Sequence, residues 1–471
     1  MKHYLILFVF VFFPLNGEYL QAVQSRHPEL AVFLNAENLN SAGVGFQLIE
    51  IESGKVIASH NENQALPPAS VMKLISTAVV TDFLGSDYQI ETRLSYSGKI
   101  NETGILEGDI IVEGNNDATL GSEYLNANKE EFLEEWTTAI KKQGIKSVKG
   151  SIVVLDDRAA VPLIPGQWIW EDLGNYYAPC VYGISVFDNT FRMTLKSGKQ
   201  YENAVVVKIE PEMKNLSFTN NILISNREKN NVYINGISYS YDRWLNGTMK
   251  ENQSSYLVKA EIPDPALFLG NYFTHYLKKN AILIAGAPTT SRLGYIAPDN
   301  RKKIHSTFSD SLKKIIQVTN FRSNNHYAEY LTHIFQQASG TSIRDYLSSK
   351  GIDADGQFIY DGSGLAPANA ISASFLTDVL IYMKKKSLSF EAYYRSIPLA
   401  GKEGTVTSFL KGTSLERKAR IKSGSIANVQ SYAGYIEHNG KQYAFALIVS
   451  NFTGQRAELR KQMERLLLSF F

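Results

Sequence analysis

The stretch Pro67-Pro68-Ala69-Ser70-Val71-Met72-Lys73-Leu74 leads into an apolar run that continues to Leu84. Proline just before or within a first turn starts helices, so the reading places Ser70 in the first turn of a helix. Positions i and i+3 share a helix face. The Ser70 hydroxyl and the Lys73 amine can therefore meet. A serine hydroxyl is a weak nucleophile until a base removes its proton. A lysine serves as that base when burial and nearby positive charge lower its pKa toward neutrality. The amino end of the helix also favours an oxyanion developing beside Ser70. Alone the tetrad carries little weight, because Ser-x-x-Lys is common by chance.

Two later stretches give it weight. Ser323-Asn324-Asn325 stands just before a helical pattern with Glu329 one turn on. A serine and an amide two residues apart on a turn can both face a cleft. The same residues also suit a plain helix cap, with Ser323 or Asn324 satisfying free backbone donors. Lys422-Ser423-Gly424-Ser425 lies on an alternating, strand-like segment. Glycine inside a strand often marks the close approach of a ligand or another backbone. Lys422 would supply positive charge for a carboxylate and Ser423 a hydroxyl; a solvated edge lysine beside a bulge is the plainer alternative.

Composition sets the frame. The chain has 471 residues, 44% hydrophobic and 20% charged, as a folded globular protein has. A net charge of +2 is too small for a nucleic-acid footprint. The one cysteine, Cys180, allows no intramolecular disulfide and no Cys-based metal site. Its apolar setting, Tyr177-Ala-Pro-Cys-Val-Tyr182, suits a buried inert thiol. At the start, Lys2 and His3 precede an apolar run from Tyr4 to Phe13, broken by Pro14, Asn16 and Gly17. That is signal-peptide length and too short for a membrane span.

Strands are expected at 44–51 and 55–60, joined by Glu52-Ser53-Gly54. From about Gln89 to Pro288 short alternating segments are separated by Gly, Asn and Asp clusters. One helix, Lys129 to Lys142, carries acids early and lysines late, as the helix dipole favours. Helical spacing returns at 309–318, 325–337, 342–349 and 372–385. Strands follow at 421–426, 431–438 and 441–451, the last two joined by the hairpin signal Asn439-Gly440. A helix over 455–470 closes the chain. Strands at both ends with helices between them predict one α/β (α+β) domain split by a long, mainly β insertion. The expected division is a signal peptide over 1–22, a split catalytic domain over 23–88 and 289–471, and an inserted accessory region over 89–288, read as two small domains.

Ser-x-x-Lys on a helix, Ser-x-Asn before a helix and Lys-Ser/Thr-Gly on a strand, in that order, resemble the penicillin-binding proteins and serine β-lactamases. The interval from Ser70 to Ser323 exceeds half the chain, far more than a compact β-lactamase needs. This resembles the D-Ala-D-Ala carboxypeptidase/endopeptidase family, the class C low-molecular-mass penicillin-binding proteins of peptidase family S13. Pro68-Ala-Ser-Val-Met-Lys-Leu74, Gly166-Gln-Trp168 with Trp170-Glu-Asp172, Tyr360-Asp-Gly-Ser-Gly-Leu365, and Leu399-Ala-Gly401 with Gly404-Thr405 carry the likeness from about residue 28 to the end. The family usually has Ser-Asp-Asn and Lys-Thr-Gly, where this chain has Ser-Asn-Asn and Lys-Ser-Gly. Serine keeps the hydroxyl and loses a methyl.

The resemblance implies a penicillin-binding/β-lactamase-like transpeptidase fold and an acyl-enzyme on Ser70. Lys73 would act as base, Ser323 as proton shuttle to the leaving amine, and Asn325 would orient the acyl donor. Lys422 and Ser423 would hold the terminal carboxylate beside Gly424, with the N–H groups of Ser70 and Ser425 as oxyanion hole. Asp156 or Asp157 would read the amine of the stem-peptide diamino acid; a loop-capping aspartate is the alternative. The implied substrate is peptidoglycan stem peptide, with β-lactam antibiotics as acylating inhibitors. No cofactor and no metal is required, and no nucleic-acid partner is expected. The expected location is the periplasm or cell envelope, with at most peripheral membrane association. Two other readings compete. His326, Glu329 and His333 share a helix face and could hold a metal, though not as His-Glu-x-x-His. The same fold could also serve a non-catalytic cell-wall-peptide or β-lactam sensor. No Gly-x-Ser-x-Gly elbow supports a Ser-His-Asp hydrolase.

Overall fold

The computed structural model describes residues 27–156, 163–200, 202–213, 215–226 and 229–471. The expected signal peptide over 1–22 and Asp157 lie outside the described residues. The chain is mixed α and β, as expected, and it opens with α1 (Pro28–Leu34), β1 (Gly43–Glu50) and β2 (Val56–His60). A tight turn over Ala69–Val71 then enters α2 (Met72–Leu84). The residues of α2 from Met72 through Thr81 are buried on every side, so this helix runs through the core rather than along a surface.

A second set of elements follows. β3 (Glu91–Tyr96), β4 (Lys99–Ile100), β5 (Ile105–Glu107), β6 (Ile110–Glu113), α3 (Glu131–Lys142), β7 (Ser147–Val148) and β8 (Ile152–Leu155) lead into β9 (Thr190–Lys196), β10 (Val205–Glu210), β11 (Ser217–Ser225), β12 (Asn231–Asn235), β13 (Asp242–Lys250) and β14 (Tyr256–Glu261). Then come α4 (Pro265–Lys279), β15 (Leu283–Ile284), β16 (Thr289–Thr290) and β17 (Lys302–Phe308). The sheets among the described residues run β16-β8-β6-β3-β17, β15-β7-β5-β4, β10-β9-β14 and β11-β13-β12. In the last, β11 runs parallel to β13 and β12 antiparallel to it. The expected boundary at 288 therefore falls within a sheet, because β16 and β17 pair with β8 and β3. Helix α4 was not anticipated. Its cap is regular, with Asp264 accepting from the Leu267 N–H and Pro265 in the first turn. Trp136 and Phe273 bring α3 and α4 into one apolar core with the surrounding strands.

The chain then returns through α5 (Leu312–Arg322), α6 (Asn325–Ser339), α7 (Ile343–Ser349), α8 (Ala373–Lys386) and α9 (Phe390–Ser396) to β18 (Ala419–Ile426), β19 (Val429–His438), β20 (Lys441–Ser450) and α10 (Arg456–Leu468). Helix α5 starts later than its spacing suggests. Ser309 is taken up at the end of β17, where its hydroxyl accepts from the Ile90 N–H. The five-stranded sheet has the order β18-β19-β20-β1-β2, all antiparallel, so both ends of the chain meet in one sheet. Asn439 and Gly440 turn the last hairpin with φ of 50° and 74°, the left-handed conformation that a two-residue hairpin needs.

Alternation along β20 divides the core in two. Ala444, Ala446 and Ile448 face α2, α6 and α8, and the small alanines let those helices pack close. Phe445, Leu447 and Val449 face the opposite way, against α1 and α10. Both faces of this sheet are covered, which fixes its register, since a one-residue slip would exchange the two sets. Leu447→Ala should cost about 2–5 kcal/mol of unfolding free energy, as cavity-forming core truncations do. Leu388→Ala, at a fully exposed side chain, should stay within about 0.5 kcal/mol. Chemical-denaturation midpoints of the two variants check this.

Candidate active site

The turn into α2 sets Ser70 against the edge strand β18. A Cβ on Gly424 would lie 2.2 Å from Ser431 Oγ, 2.7 Å from the Pro68 carbonyl oxygen and 2.9 Å from the Ser70 nitrogen. Only glycine lets the strand pass this close to the helix entry. Ser431 Oγ donates to the Pro68 carbonyl at 2.5 Å and pins the approach. On the other side a Cβ at Gly364, where φ is 79°, would meet the Ala69 carbonyl oxygen at 1.9 Å. The helix entry is thus clamped between two glycine-bearing backbones.

Lys73 is fully buried. Its Nζ lies 2.9 Å from Ser70 Oγ, 2.6 Å from Asn325 Oδ1 and 2.8 Å from the Ser363 carbonyl oxygen. Burial lowers its pKa to about 7, against the opposing pull of the Asp361 and Glu329 carboxylates. Those carboxylates hold the segment that faces Lys73. Glu329 accepts from the N–H groups of Gly362 and Ser363 at 3.1 and 2.8 Å. Asp361 accepts from the N–H groups of Gly364 and Ala366 and from the Trp168 indole at 2.9 Å. Burial and the neighbouring Asp361 push Glu329 upward, to about 8.

Ser323 and Asn324 divide the two tasks that their sequence left open. Asn324 caps α6, accepting from the Tyr327 N–H at 3.1 Å. Ser323 closes α5 in the left-handed conformation, with φ of 54°, and its hydroxyl accepts from Lys422 Nζ at 3.0 Å. Asn325 bridges segments, since its Nδ2 donates to the Tyr177 carbonyl at 2.7 Å while its Oδ1 faces Lys73. Lys422 is fully buried and also donates to the Ser423 carbonyl at 2.6 Å. Burial, together with the charge of Lys73, pushes its pKa well down. Ser423 Oγ lies 2.7 Å from Thr405 Oγ.

A cleft of about 550 Å³ opens over this arrangement, lined by Ser70, Ser323, Ser423 and Ser425 and by Thr405 and Arg460. Another cavity, of about 460 Å³, lies around Asp117, Glu131 and His305 and contains none of the predicted residues. Asp156 is not among the groups that meet at Ser70. Its carboxylate accepts from Ser291 Oγ at 2.7 Å and from the Arg292 N–H at 3.1 Å, the loop-capping arrangement. The face carrying His326, Glu329 and His333 is buried. Glu329 is committed to two backbone donors, and His326 Nε2 pairs with Ser185 Oγ at 2.8 Å. The Cys180 thiol is buried, and burial with the nearby Glu261 raises its pKa well above the usual value. The roles of Ser363, Glu329 and Asp361 beneath Lys73 were not anticipated, although the Asp-Gly-Ser-Gly run is a visible signal for a tight, carboxylate-held turn.

The model of the D-Ala-D-Ala carboxypeptidase 3 (S13) family matches residues 27–469. The chain is 23% identical over 462 residues to D-alanyl-D-alanine carboxypeptidase DacB of Haemophilus influenzae, covering 93% of this chain and 92% of that one. It is 21% identical over 463 residues to a D-alanyl-D-alanine carboxypeptidase of Actinomadura sp., covering 90% and 81%. Among solved structures, penicillin binding protein 4 (dacB) from H. influenzae superposes with a TM-score of 0.80 at 20% identity, over 95% of this chain and 98% of that one. That protein has also been solved with a β-lactam. A predatory peptidoglycan endopeptidase from Bdellovibrio bacteriovorus superposes with a TM-score of 0.52 at 15% identity over 90% of each chain.

Gly424→Ala should slow reaction with a chromogenic β-lactam on the order of 100-fold, the scale of misplacing reacting groups by about 1 Å. Stopped-flow kinetics measure it.

Proposed function

The chain belongs to the D-Ala-D-Ala carboxypeptidase 3 (S13) family, and on that premise we propose that it is a serine-type D-Ala-D-Ala carboxypeptidase and/or D-alanyl-endopeptidase acting on peptidoglycan stem peptides. The observation that carries this reading is the contact of 2.9 Å between Ser70 Oγ and the buried Lys73 amine. A lysine with its pKa brought to about 7 is half free base near neutrality and can take the serine proton.

In this mechanism Ser70 Oγ bonds to the carbonyl carbon between two D-alanines. Its proton passes to Lys73 Nζ. The N–H groups of Ser70 and Ser425 receive the oxyanion, each worth about 2.7–4 kcal/mol to such a transition state. As the C–N bond breaks, the proton held by Lys73 passes by way of the Ser323 hydroxyl to the leaving amine, with Lys422 donating to that hydroxyl and holding it in place. Water then attacks the ester carbonyl and gives a proton to Lys73 Nζ. That proton passes to Ser70 Oγ as the ester C–O bond breaks, releasing the shortened peptide as its acid and restoring the Ser70 hydroxyl. Asn325 holds Lys73 in line and faces the acyl donor, while Ser423 and Thr405 offer hydroxyls to the leaving side. Ser423, where the family usually has threonine, keeps the hydroxyl and holds it paired with that of Thr405.

β-Lactams acylate the same serine in this scheme. The elements from β3 to β17 act as the accessory unit, reaching the site through Trp168 and Tyr177. The apolar run from Tyr4 to Phe13 supports export to the cell envelope, and among the described residues no helix is long and apolar enough to cross a membrane.

Two measurements test the reading. Incubation with benzylpenicillin should add one penicilloyl mass to the intact protein and none to Ser70→Ala; an unmodified wild-type mass would sink the assignment. The acylation rate should rise with pH through about 7, where Lys73 becomes the free base. Below that value the free-base fraction, and with it the rate, falls about tenfold per pH unit. A limb centred near the ordinary lysine pKa would exclude Lys73 as the base.

A further inference from the structure

The resemblance assigns the substrate's carboxylate to Lys422 and Ser423, yet the geometry directs the Lys422 amine elsewhere. Lys422 is fully buried, its Nζ is committed to Ser323 Oγ and the Ser423 carbonyl, and it does not line the cleft. The cations that do line the cleft are Arg456 and Arg460 of α10. They stand four residues apart and so share one helix face. No aspartate or glutamate lines this cleft, and among the described residues neither arginine is in an ion pair. A half-buried cation facing an acid-free cleft is placed to receive an anion.

The two arginines differ in what they have left to give. Arg456 spends its guanidinium on the β18–β19 turn, donating to Ser425 Oγ at 2.5 Å, the Val429 carbonyl at 2.6 Å, Gln430 Oε1 at 3.2 Å and the Ala427 carbonyl. It positions Ser425. Arg460 makes one such bond, from Nη1 to Ser408 Oγ at 3.0 Å, so the fork is anchored while its Nη2 has no acceptor among the described residues. Beside it Tyr432, stacked on Phe409 at 3.8 Å, also lines the cleft and stiffens that wall.

We propose that Arg460 is a specificity-determining residue, pairing with the free α-carboxylate of the residue on the leaving side of the scissile bond. The inference rests on the proposed peptidase reaction and adds to it the group that tells a carboxylate from its neutral amide. A guanidinium anchored at Nη1, with Nε buried and Nη2 open to the cleft, suits a carboxylate better than a fully committed buried ammonium does. Ser423 and Thr405 complete the recess with hydroxyl donors.

The test compares an acyl-D-Ala-D-Ala peptide with its C-terminal carboxamide, following release of D-alanine or D-alaninamide by wild type, Arg460→Gln and Arg460→Lys. Wild type should prefer the carboxylate in kcat/KM by about 10- to 100-fold, the scale of a charge-assisted hydrogen bond. In Arg460→Gln that preference should collapse toward parity, and Arg460→Lys should restore part of it. An unchanged preference in Arg460→Gln, with equal losses on both substrates, overturns the inference while leaving the peptidase reading intact. A wild-type preference near one overturns it without recourse to any variant. Failure of the wild type to release either product, or to form the penicilloyl adduct, overturns the reading beneath it as well.

Discussion

The burial of one amine governs the architecture around it. Lys73 Nζ is held by three groups far apart in the chain, Ser70 Oγ, Asn325 Oδ1 and the Ser363 carbonyl. A buried ammonium is costly unless its donors are satisfied. Satisfying three donors requires α2, α6 and the 361–366 turn to converge on one point. Burial alone would drive the proton off, and the negative charge of Asp361, joined by that of Glu329 when it is ionised, opposes it. The balance leaves an amine that is neither permanently charged nor permanently neutral, which is the condition for moving a proton.

That convergence depends on backbones passing closer than side chains allow. Gly424 brings the edge of the sheet to the Ser70 nitrogen, and Gly364 brings the carboxylate-held turn to Ala69. The sheet that supplies β18 is assembled from both ends of the chain, with β1 pairing β20. The long stretch between Ser70 and Ser323 therefore leaves the core and returns without breaking the catalytic frame. It also contributes to that frame, since Trp168 donates to Asp361 and the Tyr177 carbonyl receives Asn325.

Much of the frame was legible in local pattern. The terminal hairpin followed from Asn439-Gly440, and α8 from its spacing, with Ser372 proving to be its cap. Helix α4 escaped notice although Asp264-Pro265 marks its start, because its polar face is thin and its neighbours read as strands. β17 escaped because Lys302–Phe308 shows little apolar alternation; its place comes from pairing with β3, a partner more than 200 residues away. The site divides in the same way. Ser70, Lys73, Ser323 and Lys422 stand out by spacing and order, whereas Glu329 looks like one more helical acid until its partners at 362 and 363 are in place.

By itself the sequence determined which reactive groups exist, their order and their local settings, because helix spacing, capping and strand alternation act over a few residues. Only the tertiary structure decided what each group is free to do. It turned Asn324 to capping and left Ser323 for Lys422. It enclosed Lys422 and brought Arg460 to the cleft. It bound Asp156 to the turn at Ser291. Desolvation, charge balance and the reach of a side chain depend on what the rest of the chain places around it, and those neighbours come from hundreds of residues away.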